Sequence, residues 1–296
     1  MTLHLICPHC AAPLSTHYSE LSTLSCPCGL VFAREAGVWR MVLPERAAEI
    51  SQFTADYEAI RTAEGRGSDD PAFYRALPHV AAEDGRAQWW RGREQSFAAL
   101  LKYVVEPMGR PLVIADLGAG NGWLAYQLTR RGHEAVAVDL LLNEQDGLGA
   151  HRHYDHAFPC FQAEFDHLPF AHGQFDVLVF NASFHYTADP VATLAAVRPL
   201  LRADGVVVIM DTPIYSAAAS GAEMVRQRAA QFQARYGHAG SAAAHIQFLT
   251  FGGLERLGHY RLIWPVPAWR RAARRVRVWL GRQREPGQFP LVVLER

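Results

Sequence analysis

The 296-residue chain lacks net charge, because 29 basic side chains balance 29 acidic ones. The molecule as a whole therefore has no electrostatic reason to sit on nucleic acid or anionic lipid, and any such affinity needs a local patch. It also nearly lacks lysine. Lys102 is the only one, and the other basic side chains are arginine, a bias that reads as compositional background. Long apolar runs are missing: stretches without Asp, Glu, Lys or Arg reach only 19 residues, and the one at 236–254 contains His238, His245 and four glycines, a poor membrane span. The first ten residues lack a basic stretch leading into an apolar run, so no secretory signal is expected and the protein is expected to be cytoplasmic. Internal repeats and low-complexity tracts are absent. With 50% of its residues hydrophobic, the chain suits one large domain, alone or with a small appendage, and a disordered or collagen-like protein is excluded.

Cysteine is scarce after residue 28, where only Cys160 remains, between Pro159 and Phe161, and it reads as a buried apolar residue. The other four stand as Cys7-Pro-His-Cys10 and Cys26-Pro-Cys28, with 15 residues between the pairs. Two short cysteine turns joined by a hairpin supply the tetrahedral thiolates of a structural zinc, so Cys7, Cys10, Cys26 and Cys28 are the expected ligands. The second turn is one residue tighter than the first, which leaves His9 and His17 as substitute ligands. A closed four-ligand site has no open position and is assigned no catalysis. The competing readings are a metal-free ribbon resting on Leu3, Leu5, Leu30, Phe32 and Trp39, or a disulfide pair, which a reducing compartment disfavours.

Three regions follow: a zinc-ribbon-like segment over 1–44, a helical lid over 45–110 and an alternating domain over 111–296. In the second region Ile50, Phe53, Tyr57 and Ile60 have helical spacing, and a second helix is expected from Ala87 through Trp89, Trp90 and Phe97 to about Pro107. From Pro111 strands and helices alternate: strands at 112–117, 135–140, 158–162, 175–181 and 206–209, with helices at 123–131 and 189–201. This predicts a mainly parallel sheet with right-handed crossovers. A helix near 243–257 and strands at 259–266 and 289–295 complete the pattern. The arginines at 270, 271, 274, 275, 277, 282 and 284 form the one strong basic patch, read as a solvated amphipathic helix or as a phosphate-binding surface.

The central motif is Asp116-Leu-Gly118-Ala-Gly120-Asn-Gly122-Trp, where a strand turns through alternating glycines into a helix. Trp123 stands where a nicotinamide fingerprint needs glycine, and no Gly-Lys-Ser/Thr follows, so a pyrophosphate is not the expected guest. Asp116 suits a cationic amine, and Asp139, 17 residues after Gly122, suits vicinal ribose hydroxyls. A nucleoside carrying an amino acid satisfies both. Here the sequence resembles the class I S-adenosylmethionine (SAM)-dependent methyltransferases, closely over 111–211 and loosely over 243–296. The resemblance implies a Rossmann-like, seven-stranded α/β sheet. It implies a cofactor site built from Asp116, Gly118, Gly120, Gly122, Asp139, Leu140, Glu164, Phe165 and Asn181, with Glu164 set against the adenine amino group and Asn181 facing the methyl donor.

Methyl transfer is an in-line displacement that chiefly needs alignment and exclusion of water. After the fourth strand, His185 is the candidate base, with Tyr186 and Asn181 as its catalytic companions and Ser183 as a donor or acceptor. His151, His153 and His156 with Asp155 read as a polar loop in preference to a metal site. Tyr57, Arg61, Tyr74, Trp89 and Trp90 are the lid's candidate substrate contacts. A ribbon ahead of such a core is also similar to the bacterial rRNA guanine methyltransferases, but the neutral charge, the few basic residues of the ribbon and the absence of an Asn-Pro-Pro-Tyr/Phe strand end favour a small-molecule acceptor over RNA. The same pocket would also suit an intramolecular cyclase acting on SAM or a non-catalytic SAM-binding protein. Removal of residues 1–44 is expected to spare SAM binding.

Overall fold

The computed structural model describes residues 3–15, 17–236, 247–273 and 284–296. Near the N-terminus three short strands, β1 (Thr23–Ser25), β2 (Val31–Glu35) and β3 (Val38–Arg40), form an antiparallel meander. Ala36 and Gly37 join β2 to β3 with φ of 47° and 83°, the two positive values that a two-residue hairpin turn requires. Gly37 is needed twice over, since a Cβ there would stand 2.7 Å from the His151 ring. That ring is bonded to Ala36 O at 2.9 Å, so one histidine of the expected polar loop clamps the ribbon's hairpin. His153 stacks on Tyr74 at 4.3 Å and His156 bonds Asp155 at 2.9 Å; the three imidazoles serve separate structural contacts.

The lid comprises α1 (Ala47–Ala63), α2 (Pro71–Ala76) and α3 (Ala87–Leu100). Asp70 starts α2 by accepting the Ala72 amide at 2.8 Å, and Pro71 fits its first turn. Beyond it the alternation expected from the apolar runs is present: β4 (Val113–Leu117), α4 (Trp123–Thr129), β5 (Glu134–Asp139), β6 (Cys160–Gln162), β7 (Phe175–Asn181), α5 (Pro190–Val197) and β8 (Leu201–Met210). A short strand β9 (Ile214–Tyr215) leads into α6 (Ala218–Tyr236), a helix absent from the sequence reading. Then come β10 (Leu249–Thr250), α7 (Phe251–Leu254), β11 (Tyr260–Ile263) and β12 (Leu291–Glu295). The helix expected near 243–257 is corrected over its described part: residues 249–250 are extended and pair with β9. Helix forms only once Thr250 Oγ1 accepts the Gly253 amide at 3.0 Å. Of the Arg-rich segment, residues 274–283 lie outside the described residues.

The main sheet has ten strands in the order β1-β2-β3-β6-β5-β4-β7-β8-β12-β11. From β3 to β8 every pairing is parallel, and β12 runs antiparallel to both neighbours. The seven strands from β6 to β11 make up the expected Rossmann-like sheet, and the ribbon adds three more. It does so through β3, whose Val38, Trp39 and Arg40 lie opposite Cys160, Phe161 and Gln162 of β6. Leu3, Leu5, Trp39 and Met41 share one core with Phe161 and Phe170. Removing residues 1–44 would therefore strip a strand from the sheet and bare that core, so the truncation bears on the fold as well as on SAM binding.

At the amino ends of the central strands Asp176 is fully buried, yet it accepts from Arg110, Arg202 and the Val113 amide, each at 2.7 Å. Burial alone would raise its pKa. The Arg110, Val113 and Arg202 donors outweigh that and hold it below the usual carboxylate range.

Candidate functional site

The glycine turn sits where β4 ends. Gly118, Gly120 and Gly122 have φ of 77°, 55° and 78°, left-handed values that suit glycine. Gly118 is also pressed from the β7 side, since a Cβ there would lie 2.2 Å from Ser183 Cβ. The turn is tied to the end of β5: the Gly120 amide donates to Asp139 Oδ2 at 2.7 Å, and the Leu141 amide to Oδ1 at 2.8 Å. Burial raises the Asp139 pKa, and the amides of Leu141, Gly120 and Leu140 counter it.

Above the carboxyl ends of β4, β5 and β7 opens a cavity of about 520 Å³, roofed by α1 and α3. Its walls bring together Gly118, Gly120, Asp139, Leu140, Glu164, Phe165, Asn181 and Tyr186 from the sequence-expected set. Asn181 is 7% exposed, and its side-chain oxygen has no hydrogen-bond partner. Glu164 is gripped by Arg46, whose Nη2 and Nε reach Oε1 at 2.8 and 3.1 Å.

Four expected residues do not line this cavity. As a correction, Tyr74 of the lid is fully buried, with its hydroxyl donating to Gln145 O at 2.7 Å and its ring stacked on His153, and is not a substrate contact. Gly122 opens α4 and packs against Phe158, whose Cζ would be 2.8 Å from an added Cβ. Asp116 lies beneath the glycine turn, 0% exposed, with both carboxylate oxygens unpartnered. Burial, and then the Asp139 charge, push its pKa well above the ordinary value. His185 turns away toward Thr212, with Nδ1 at 3.4 Å from Oγ1. Burial, then the charges of Arg228 and Arg93, bring its pKa down to about 3. As a correction, His185 is a neutral packed ring and not a base in the cavity. Its neighbour Tyr186 does line the cavity and meets Tyr57 edge-on at 5.6 Å.

The cysteine thiols lie apart from this cavity's walls. The four ligand atoms of Cys7, Cys10, Cys26 and Cys28 all fall within 4.8 Å of one another, with Sγ separations of 3.8, 3.4 and 3.2 Å for the 7–28, 10–26 and 26–28 pairs. Tetrahedral zinc–thiolate geometry puts sulfurs about 3.8 Å apart, so the donor set suits that ion. No other group of three or more such side chains meets a metal-site geometry among the described residues.

Residues 115–209 match the family model described as a methyltransferase domain. Over these residues, about a third of the chain, the protein carries a methyltransferase domain. No curated protein sequence matches it. Among solved structures the chain is similar to an S-adenosylmethionine-dependent methyltransferase from Mesorhizobium loti, at 22% identity and a TM-score of 0.47, over 72% of this chain and 99% of that one. A Burkholderia thailandensis 1,6-didemethyltoxoflavin-N1-methyltransferase with bound S-adenosylhomocysteine is similar at 18% identity and 0.46, covering 89% and 93%. A Haloferax volcanii complex of the Trm112 methyltransferase activator with a putative methyltransferase is similar at 18% and 0.46, covering 75% and 96%.

The cavity fits SAM, the cofactor of this domain. It offers a turn too tight for side chains, a carboxylate at the next strand end and, in Asn181, a buried acceptor without a partner. The cavity also gathers residues that the sequence alone does not point to. Arg46, Arg66, Arg86, Arg93 and Asp146 line the cavity. Arg61, expected only as a lid contact, forms an ion pair with Asp146. Arg46 is signalled only by its place just after the ribbon. The others carry no local signal: Arg93 lies two turns along α3 and reads as a solvated side chain, and Arg66, Arg86 and Asp146 stand in polar connections between elements.

Proposed function

We propose that the methyltransferase passes the methyl group of SAM to a small molecule held under the helical lid. The observation that carries this reading is the roof: Phe53 and Tyr57 from α1 and Trp89 and Trp90 from α3 close over Asn181 and Tyr186. Such an aromatic, walled chamber suits a compact ligand. When bound, SAM supplies a methyl group on a sulfonium, open to in-line displacement.

In this reading Asp139 receives the ribose hydroxyls with the lone pairs left over by Gly120 and Leu141. Leu140 and Phe165 flank the adenine, and Glu164, steadied by Arg46, faces its amino group. Gly118 and Gly120 let the chain approach closely, and Asn181 offers its free oxygen to the cationic amine. Tyr186 orients the acceptor. No histidine or lysine lines the cavity among the described residues, so an acceptor is favoured that arrives already ionised or sheds its proton readily. Cys7, Cys10, Cys26 and Cys28 hold a structural zinc that fixes the ribbon, and metal analysis is expected to find one zinc per chain.

Methyl-labelled SAM incubated with the protein and a cell lysate tests the acceptor. Label in a small-molecule fraction, with S-adenosylhomocysteine formed, is the expected result. Label in nuclease-sensitive RNA overturns it, methylthioadenosine shows intramolecular displacement, and binding without turnover shows a SAM sensor.

A further inference from the structure

Five arginines face the cavity: Arg46, Arg61, Arg66, Arg86 and Arg93. Four are neutralised by carboxylates. Arg46 is held by Glu49 and Glu164, Arg61 by Asp146, Arg66 by Glu64 at 3.0 Å and Arg86 by Asp84 at 2.6 Å. Arg93 has no carboxylate within ion-pair distance among the described residues. Its Nη1 donates to the Trp89 carbonyl at 3.2 Å, a bond inside α3, and its guanidinium lies 5.2 Å from the centre of the Trp90 ring. The carboxylate acting on it most strongly, Asp211, already accepts the Ser96 hydroxyl at 2.7 Å. Desolvation pulls the Arg93 pKa down, and the charges of Arg66 and Arg61 add to that effect. An unpaired cation in such a wall is costly unless an anion arrives.

The surroundings say what kind of anion. Trp90 meets Trp123 edge-on at 5.8 Å and 85°, and meets Phe73 at 6.4 Å and 82°. Trp89 carries Arg66 on its face at 4.4 Å. These rings line the cavity together, an aromatic wall against which a planar ring packs edge-on or offset. Ser96, one turn along α3 from Arg93, donates to Asp211 just past the end of β8, whereas Asp139 ends β5, and these strands are separated by β4 and β7. Three strand spacings amount to about 14 Å, so Arg93 serves the acceptor end of the cavity and not the ribose end.

We propose that the acceptor is a flat aromatic compound bearing an anionic oxygen group, and that Arg93 receives that group while the ring lies among Tyr57, Trp89 and Trp90. This rests on the small-molecule reading above. It also accounts for a chamber without a base, since an anion needs no deprotonation at the charged oxygen.

Tryptophan-fluorescence titrations of the full chain saturated with S-adenosylhomocysteine test the proposal, using benzoate, 4-hydroxybenzoate and 2-naphthoate against their neutral amides. The tightest acid is expected to bind at least about ten-fold better than its amide. Arg93→Gln should level the two while leaving S-adenosylhomocysteine affinity unchanged and the melting temperature no lower, and Arg93→Lys should keep part of the preference. Equal binding of acids and amides, binding of none of the acids, or a preference that survives Arg93→Gln overturns it. The underlying reading is scored separately: a protein that labels small molecules but ignores the charge loses only the acceptor class, whereas label in RNA removes the small-molecule function itself.

Discussion

Asp116 and Asp176 sit on adjacent strands of one sheet, each 0% exposed, and their fates are opposite. At the amino edge Asp176 has two arginines and a backbone amide for partners. At the carboxyl edge Asp116 has none for either oxygen. The same residue type is thus a satisfied anchor at one edge and an unmet demand at the other. Among the described residues, unmet demands stand on the carboxyl side: Asn181 lacks a partner for its oxygen, Asp211 for one carboxylate oxygen, and Arg93 lacks a counter-ion. Ala182 and Asp211, neither of them glycine, take φ of 54° and 53° there, and the Ala182 amide bonds Met210 O at 2.9 Å. Cost gathered at one edge marks where ligands repay it.

The sharpest break of this contrast is Asp176→Ala, which takes the shared partner from two arginines. Both arginines are half-exposed and rehydrate, so the loss is that of three hydrogen bonds to a buried carboxylate, about 1.5–3 kcal/mol each at most, read as a large drop in melting temperature at neutral pH. Because the fold depresses this carboxyl's pKa, its contribution is complete above pH 3.8 and fades as pH falls through the lower folded value. The penalty of the variant should shrink there. Next in size, Asp139→Ala should weaken SAM binding about 100-fold, ~2.7 kcal/mol, measured by calorimetric titration, since the carboxylate and the order of the Gly120 turn go together. An unchanged affinity would remove Asp139 from the cofactor site. The smallest effect is a gain. Asp116 has its pKa raised by the fold, so its ionisation destabilises increasingly as pH climbs above 3.8. Asp116→Asn should raise the melting temperature at pH 8 by about 2–4 °C for each kcal/mol relieved, and the gain should vanish below pH 3.8.

The glycine turn and the strand ends are legible in the sequence because their signals are local: alternating glycines, an acid at a strand terminus, and apolar runs of strand length. What stays hidden depends on residues far apart. Arg61 and Asp146 are separated by 85 positions, and Arg46 and Glu164 by 118, so neither pairing leaves a trace in periodicity. His185 misleads for the same reason, since Thr212 and the charges that depress it come from other segments of the chain. The polar composition of α6, rich in Gln, Arg and Ala, gives no apolar stripe to read. In the ribbon the cysteine spacing announces the thiol cluster, but nothing in Val38-Trp39-Arg40 announces pairing with a strand more than a hundred residues away.

That pairing has a consequence for solubility. Without β3, the three-residue strand β6 would end the parallel sheet and present bare amides and carbonyls beside Phe161, a template for adhesion between molecules. The ribbon seals this seam and hands the exposed rim to β1, three residues long, with Thr23 and Ser25 facing water. A rim so short and polar offers little for another chain to grip, so the cysteine-bearing segment also works as a guard against self-association.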